Sequence, residues 1–121
     1  QLKKTMDSNT TISELRAAVD QFVAARNWHS FHTPKNLAMS IAIEAAEIME
    51  HFQWSDVNES GLNVKNADFR AEVADELADV MIYALSFANV SGIDISEAIY
   101  KKLARNETRF PIEKVSGKLG E

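Results

Sequence analysis

The stretch LAMSIAIEAAEIM, residues 37–49, decides the fold of this chain. Its only polar side chains are Ser40, Glu44 and Glu47, so a helix formed here has almost no face suited to water. The two glutamates are three residues apart and project from the same side of the helix, about 4.5 Å apart along its axis. Such a helix must be covered by other helices, although it carries two carboxylates among packed side chains.

A second stretch, ADELADVMIYALSF at residues 74–87, repeats this arrangement with Glu76 and Asp79. A lone buried carboxylate is costly unless it is protonated, paired or bound to a metal. No lysine or arginine lies nearby in sequence to pair with these acids. Two facing helices would bring four carboxylates together, and a ligand set made of oxygen favours Mg²⁺ or Mn²⁺ over zinc.

The residues alone leave other interpretations of these acids open. They could form a solvated seam between helices, or pair with bases from the last helix or from a partner chain. A non-enzymatic helical module would use such a seam to bind a basic surface. A di-iron bundle would require Glu-x-x-His, and no glutamate here has a histidine three residues later.

Capping residues and hydrophobic periodicity predict an all-α fold with four helices. They run from a capping box at 11–14 to about residue 26, from the N-cap Thr33 to about 53, from about 67 to 90 with Gly92 as the stop, and from a second capping box at 94–97 to the residue before Pro111. Residues 55–66 are predicted to form a loop. Residues 1–10 and 112–121 are predicted tails on either side of one domain at 11–111.

Two helices that are apolar on nearly every side cannot be covered inside one small bundle. We therefore expect an obligate homo-oligomer in which some of their large side chains form the interface. The candidates are Leu37, Ile41, Ile48, Phe52, Val80, Ile82, Leu85 and Phe87.

The composition is that of one globular domain, with 121 residues of which 45% are hydrophobic and 26% charged. No apolar run approaches the roughly 18 residues that span a bilayer, and the first residues lack the apolar core of a signal peptide. We therefore expect a cytoplasmic protein with no membrane partner. The absence of cysteine excludes disulfides, thiol nucleophiles and zinc sites of the cysteine type.

The formal net charge of −5 argues against nucleic-acid binding, but the charge is unevenly distributed. Residues 36–100 contain twelve acids and two bases, whereas residues 101–121 contain six bases and three acids. This pattern suggests a cation site next to an anion site. Lys102, Asn106 and Arg109 share one face of the last helix, where they could hold a polyphosphate or form a solvated basic face.

The two acid pairs, Glu44-Ala45-Ala46-Glu47 and Glu76-Leu77-Ala78-Asp79 with 28 residues between them, resemble the ExxE…ExxD signature of the all-α nucleotide pyrophosphohydrolases, the MazG superfamily. The resemblance covers about residues 11–111. Its nearest branch is that of integron-type MazG and the dCTP pyrophosphatases, because further segments agree. These segments are 28–37 (WHSFHTPKNL), 52–54 (FQW), Tyr83 and 109–111 (RFP).

This resemblance implies a helix bundle assembled as a homo-oligomer, commonly a tetramer built as a dimer of dimers. It implies cleavage of a nucleoside triphosphate to monophosphate and pyrophosphate, with Mg²⁺, or Mn²⁺ in its place. The implied metal ligands are Glu44, Glu47, Glu76 and Asp79. The implied base and sugar pocket consists of Trp28, His32, Trp54 and Tyr83, and the implied phosphate contacts are Lys102, Asn106 and Arg109.

The pocket set resembles that of the branch preferring dCTP, with dATP as a second substrate, and dUTP or a modified nucleotide as the alternative. No Ser-His-Asp arrangement or glycine-rich phosphate loop is visible, so we expect water to attack phosphorus directly. One carboxylate would take the proton of this water, and Glu47 is our preferred candidate, although spacing cannot single it out.

Overall fold

The computed structural model describes residues 4–118 and shows an all-helical protein without strands in that range. The predicted all-α class is therefore confirmed. Six α-helices follow one another between residues 4 and 118, with 3₁₀ turns at Asp7–Asn9 and His29–Phe31. The helices are α1 (Ile12–Ala25), α2 (Pro34–Glu50), α3 (Val57–Asn63), α4 (Ala67–Ser91), α5 (Ile95–Arg109) and α6 (Ile112–Val115).

The predicted helix starts rest on side-chain caps that the structure contains. The Thr11 hydroxyl accepts a hydrogen bond from the Glu14 backbone N–H, and the Glu14 carboxylate accepts one from the Thr11 N–H, both at 3.1 Å. At the start of α2 the Thr33 hydroxyl accepts a hydrogen bond from the Asn36 N–H at 3.2 Å, and Pro34 lies in the first helical turn. Asp94 accepts from the Glu97 N–H at 2.9 Å. Local capping chemistry thus sets where α1, α2 and α5 begin.

The loop predicted at 55–66 is wrong over Val57–Asn63, which forms α3. The Asp56 carboxylate caps this helix by accepting from the Glu59 N–H at 2.8 Å. The segment is mostly polar and contains Gly61, so its sequence has no hydrophobic periodicity that indicates a helix. Asp56 and Glu59 nevertheless have the spacing of an N-cap and the residue whose N–H it accepts. The second predicted helix is also too long, because α2 ends at Glu50 and turns follow it.

The predicted tails also contain ordered structure. Residues 4–10 include the 3₁₀ turn Asp7–Asn9, closed by the Met6 N–H donating to Asn9 Oδ1 at 2.9 Å. Residues 112–118 include α6. The remaining parts of both predicted tails, 1–3 and 119–121, lie outside the described residues.

The chain divides into two compact units, residues 1–91 and 92–121. In the first unit α4 packs along α2 and also against α1. Arg16 and Asn89 join α1 to α4 through two hydrogen bonds, from Arg16 Nε to Asn89 Oδ1 at 3.0 Å and from Asn89 Nδ2 to the Arg16 carbonyl at 3.1 Å. Few apolar side chains of the described residues are buried: Val23, Leu37, Leu85 and Ala88.

The second unit begins at Gly92, whose φ of +65° lies in the left-handed region that favours glycine. The predicted stop of the long helix near Gly92 is therefore confirmed. In this unit α5 carries an apolar stripe, with Ile99 and Leu103 about half exposed. Across residues 4–118, no single helix is long and apolar enough to cross a membrane. Only α4 and α5 taken together have the length and apolar composition of a possible span.

Candidate metal and nucleotide site

Three carboxylates meet between α2 and α4. One oxygen each from Glu44, Glu47 and Glu76 lies within 4.8 Å of the others, and all three side chains are half-buried. Helical spacing places Glu44 and Glu47 on one side of α2. Glu76 reaches them from α4. We refer to these three residues as the carboxylate cluster.

The contacts around the cluster show that α2 and α4 run antiparallel. Glu44 is within electrostatic range of Asp79, Glu47 contacts Glu76, and His51 faces Glu72. As the residue number increases along α2, the number of the facing residue on α4 decreases. This register brings the two acid pairs to the same level.

The protein environment makes the cluster unfavourable as a set of free anions. Burial raises the pKa of Glu44, and so do a hydrogen bond with the Glu47 carboxyl and the charges of Glu47, Asp79 and Glu76. Glu44 Oε2 is buried and has no hydrogen-bond partner among the described residues. The pKa of Glu76 is raised mainly by a hydrogen bond with Glu47 and by burial, while His51 partly offsets this effect.

A divalent cation fits these residues. An orphaned buried oxygen and three converging carboxylates are the donors that a hard cation prefers. Within residues 4–118, neither lysine nor arginine pairs with the cluster. Asp79, the fourth predicted ligand, is half-buried and its charge reaches Glu44, but its oxygens are outside the group of three.

Sequence reasoning missed His51, which lies one turn after Glu47. Its Nε2 is 3.7 Å from Glu76 Oε1, and its Nδ1 is 4.0 Å from Glu72 Oε2. His51 follows Glu47 by four residues, which places both on one side of a helix. Together with the other acids, however, this spacing does not form a familiar metal-ligand motif. The histidine therefore remained without an assignment.

Two of the predicted base-pocket residues lie together. The rings of His32 and Tyr83 are 6.4 Å apart, centre to centre, and both side chains are half-buried. His32 Nδ1 is buried without a hydrogen-bond partner in the described part of the chain, as is the hydroxyl of Ser86, one turn from Tyr83. His32 and Ser86 line the same narrow cleft. Sequence reasoning missed Ser86 because serine in an apolar helix carries no specific signal.

The two predicted tryptophans lie elsewhere. Trp28 makes an edge-to-face contact with Phe22 of α1, with ring centres 6.0 Å apart. Trp54 lies in the turn after α2 with 90% of its surface exposed. The ring contacts found between residues 4 and 118 do not join either tryptophan to His32 or Tyr83.

The predicted phosphate contacts belong to the second unit and are described by themselves. Lys102, Asn106 and Arg109 lie on α5, as the spacing required. Lys102 is exposed and Asn106 half-buried. The Arg109 guanidinium lies 4.9 Å from the centre of the Phe110 ring. The side chains of α5 thus present positive charge with one amide on a single face.

Residues 39–119 match the model of the MazG-like family. The chain belongs to this family. The matched range contains all four predicted metal ligands, Trp54, Tyr83 and the basic face of α5, whereas Trp28 and His32 precede it.

Similar proteins agree with this assignment. The MazG-like chain is 32% identical to dCTP pyrophosphatase 1 of Bos taurus over 108 residues, 89% of this chain and 64% of that protein. It is 34% identical to dCTP pyrophosphatase 1 of Homo sapiens over 101 residues, 84% of this chain and 59% of that protein. The chain thus spans less than two thirds of the length of these relatives. A crystal structure of a pyrophosphatase from Archaeoglobus fulgidus superimposes with a TM-score of 0.78 at 36% identity, covering 92% of this chain and 99% of that one.

The raised pKa of Glu44 predicts that the metal-free MazG-like chain is most stable when this residue is protonated. A raised folded-state pKa contributes stability that is present at low pH and lost as the pH rises through that pKa. Glu44→Gln should therefore melt higher than wild type at neutral pH in EDTA, and the difference should shrink toward pH 4.5, the ordinary glutamate value. Thermal melts against pH, with the exposed Glu50→Gln as control, measure this. A wild type that equals or exceeds E44Q at neutral pH would contradict it.

Proposed function

We propose that this MazG-like chain is a nucleoside triphosphate pyrophosphohydrolase that depends on Mg²⁺, with Mn²⁺ as a substitute. The observation that carries the proposal is the carboxylate cluster with its buried, unpartnered Glu44 oxygen. The relatives named dCTP pyrophosphatase and the structural neighbour named pyrophosphatase support it. Glu44, Glu47 and Glu76 would hold the cation, with Asp79 joining from the next turn of α4.

A bound hard cation would supply charge neutralisation for the triphosphate and a lowered pKa for the attacking water. The chain's own residues would orient the reactants. Glu47 is the member of the cluster whose carboxyl raises the pKa of both Glu44 and Glu76. We propose that its carboxylate accepts the proton of the attacking water.

The proposed substrate is dCTP, followed by dATP. The relatives named dCTP pyrophosphatase support a deoxycytidine nucleotide, and the His32–Tyr83 pair offers a ring face and a polar edge for a base. Trp28 and Trp54 would stack on the base or sugar. Lys102, Asn106 and Arg109 would contact the phosphates from their shared face on α5. A preference for dUTP or a modified nucleotide is the alternative within the same reaction.

A panel of nucleoside triphosphates, incubated with the protein and Mg²⁺, tests this proposal. We expect monophosphate and pyrophosphate as products, with dCTP consumed fastest and no reaction in EDTA. Release of orthophosphate would reject the reaction, whereas faster consumption of dUTP would reject only the specificity. No turnover of any nucleotide, together with no effect of Mg²⁺ on melting, would favour the helical interaction module.

We also propose a cytoplasmic homo-oligomer, most simply a tetramer built as a dimer of dimers. Large apolar side chains are at least 45% exposed along α2, at Met39 and Ile43, and along α4, at Leu77 and Met81. Each pair is spaced by four residues, so each forms a stripe on its helix. Exposed apolar stripes on two adjoining helices are what an interface between copies covers. A second copy could also bring Trp28 or Trp54 to the pocket.

A further inference from the structure

His51 stands beside the carboxylate cluster without belonging to it. It follows the last residue of α2, and its side chain is 21% exposed. Its ring contacts Phe69 of α4 edge to face, with centres 5.9 Å apart, and Phe69 in turn contacts Phe52 at 5.5 Å. The contact with Phe69 restrains the imidazole, whose two nitrogens face Glu76 and Glu72.

The two nitrogens face carboxylates of different character. Nε2 is 3.7 Å from Oε1 of Glu76, whose side chain is 24% exposed, whereas Nδ1 is 4.0 Å from Glu72, which is 69% exposed. The contact with Glu72 is open to water and contributes little. The contact with Glu76 is sheltered, and a shift of about 1 Å would convert it into a hydrogen bond. Of the two contacts, the one with Glu76 is therefore the one that can orient a carboxylate of the cluster.

We infer that His51 is a positioning residue for Glu76, an inference that rests on the proposed function. The Nε2–H of His51 would donate to Glu76 Oε1 and hold the carboxylate toward Glu44 and Glu47. Glu76 is the one member of the cluster that comes from α4, so its side chain must be ordered across the gap between two helices. A partner that fixes a ligating carboxylate reduces the entropy lost when the cation binds.

The test measures Mg²⁺ binding to the metal-free protein by calorimetry, without nucleotide. His51→Phe keeps a ring against Phe69 and removes both nitrogens, and His51→Leu removes the nitrogens from a smaller side chain. We expect Mg²⁺ affinity to fall about 10- to 100-fold in both, the range found when partners of metal ligands are removed. His51→Gln places an N–H donor close to the position of Nε2 and should retain most of the affinity.

His29→Leu is the matched control, because His29 Nε2 makes a similar contact, 3.8 Å from Asp20 Oδ1, outside the cluster. It should bind Mg²⁺ like wild type. Folding of each variant is checked by its helical circular dichroism and melting temperature without metal. Wild-type affinity in a folded H51F or H51L would overturn the inference alone, as would an H51Q as weak as H51F. A wild type that does not bind Mg²⁺ would overturn the proposed function as well.

Discussion

Glu47→Gln should lower kcat/KM for pyrophosphate release by about 10²–10³-fold or more, the loss typical of removing one preorganised electrostatic group from an active site. One oxygen of Glu47 on α2 lies within 4.8 Å of oxygens of Glu44 and of Glu76 from α4, and the Glu47 carboxyl raises the pKa of both. The amide keeps the shape of the side chain but removes one negative charge. It also removes the proposed acceptor for the proton of the attacking water.

The same variant should fold normally. Removing one charge from a crowded set of carboxylates relieves repulsion in the metal-free protein, so E47Q should melt at or above the wild-type temperature in EDTA. Its gain in melting temperature on adding Mg²⁺ should be smaller than that of wild type. We expect losses of turnover in Glu44→Gln, Glu76→Gln and Asp79→Asn as well.

Glu50→Gln separates the cluster from general charge on α2. Glu50 is an exposed acid one turn beyond Glu47, so this variant makes the same chemical change on the same helix. It should keep wild-type turnover and wild-type stabilisation by Mg²⁺. If E44Q, E47Q, E76Q and D79N all behave like E50Q, the carboxylates are not a catalytic metal site.

The helix starts were predictable because they depend on a few adjacent residues. Thr11, Thr33 and Asp94 each place a side-chain oxygen on a backbone N–H three residues ahead, and this chemistry is local. Helix α3 was not predicted because its hydrophobic periodicity is weak. A seven-residue helix is marginal by itself, so its cap at Asp56 was outweighed by the polar run around Gly61.

The site was predictable to the level of helix faces and no further. Spacing placed Glu44 beside Glu47 and Glu76 beside Asp79, and packing of α2 on α4 brought Glu44, Glu47 and Glu76 together. Which oxygen of which acid approaches another depends on rotamers and on helix register, and sequence spacing does not specify these. Asp79 thus lies outside the group of three although its spacing equals that of Glu47.

The tryptophans show another limit of sequence reasoning. Trp28 and Trp54 belong to segments that resemble one pocket, yet Trp54 is 90% exposed and Trp28 contacts Phe22. A large aromatic side chain is rarely left in water without a partner that covers it. If the pocket needs both tryptophans, a second chain is the simplest source of the missing wall, which connects the substrate proposal to the oligomer proposal.

Ile43→Glu should break the oligomer and abolish activity together. Ile43 is 57% exposed on α2, one turn before Glu47, and forms an apolar stripe with Met39, which is 54% exposed. A charge buried at an interface without a partner is strongly unfavourable, but at this exposed position it leaves the fold of one chain intact. The partly buried Phe87 is a poorer choice, because it lies between the buried Ser86 and Ala88 and a charge there would damage the core.

Light scattering and nucleotide turnover on the same sample measure both effects. We expect I43E to fall toward the 13.5 kDa of one chain, with unchanged helical circular dichroism. Ile43→Met keeps an apolar side chain at the same position, and Asn58→Glu adds a charge on the exposed surface of α3, so both controls should remain assembled and active. A wild type that is a fully active monomer at micromolar concentration would contradict the proposed oligomer. An I43E that dissociates and keeps full turnover would also contradict it, because the site would then be complete within one chain.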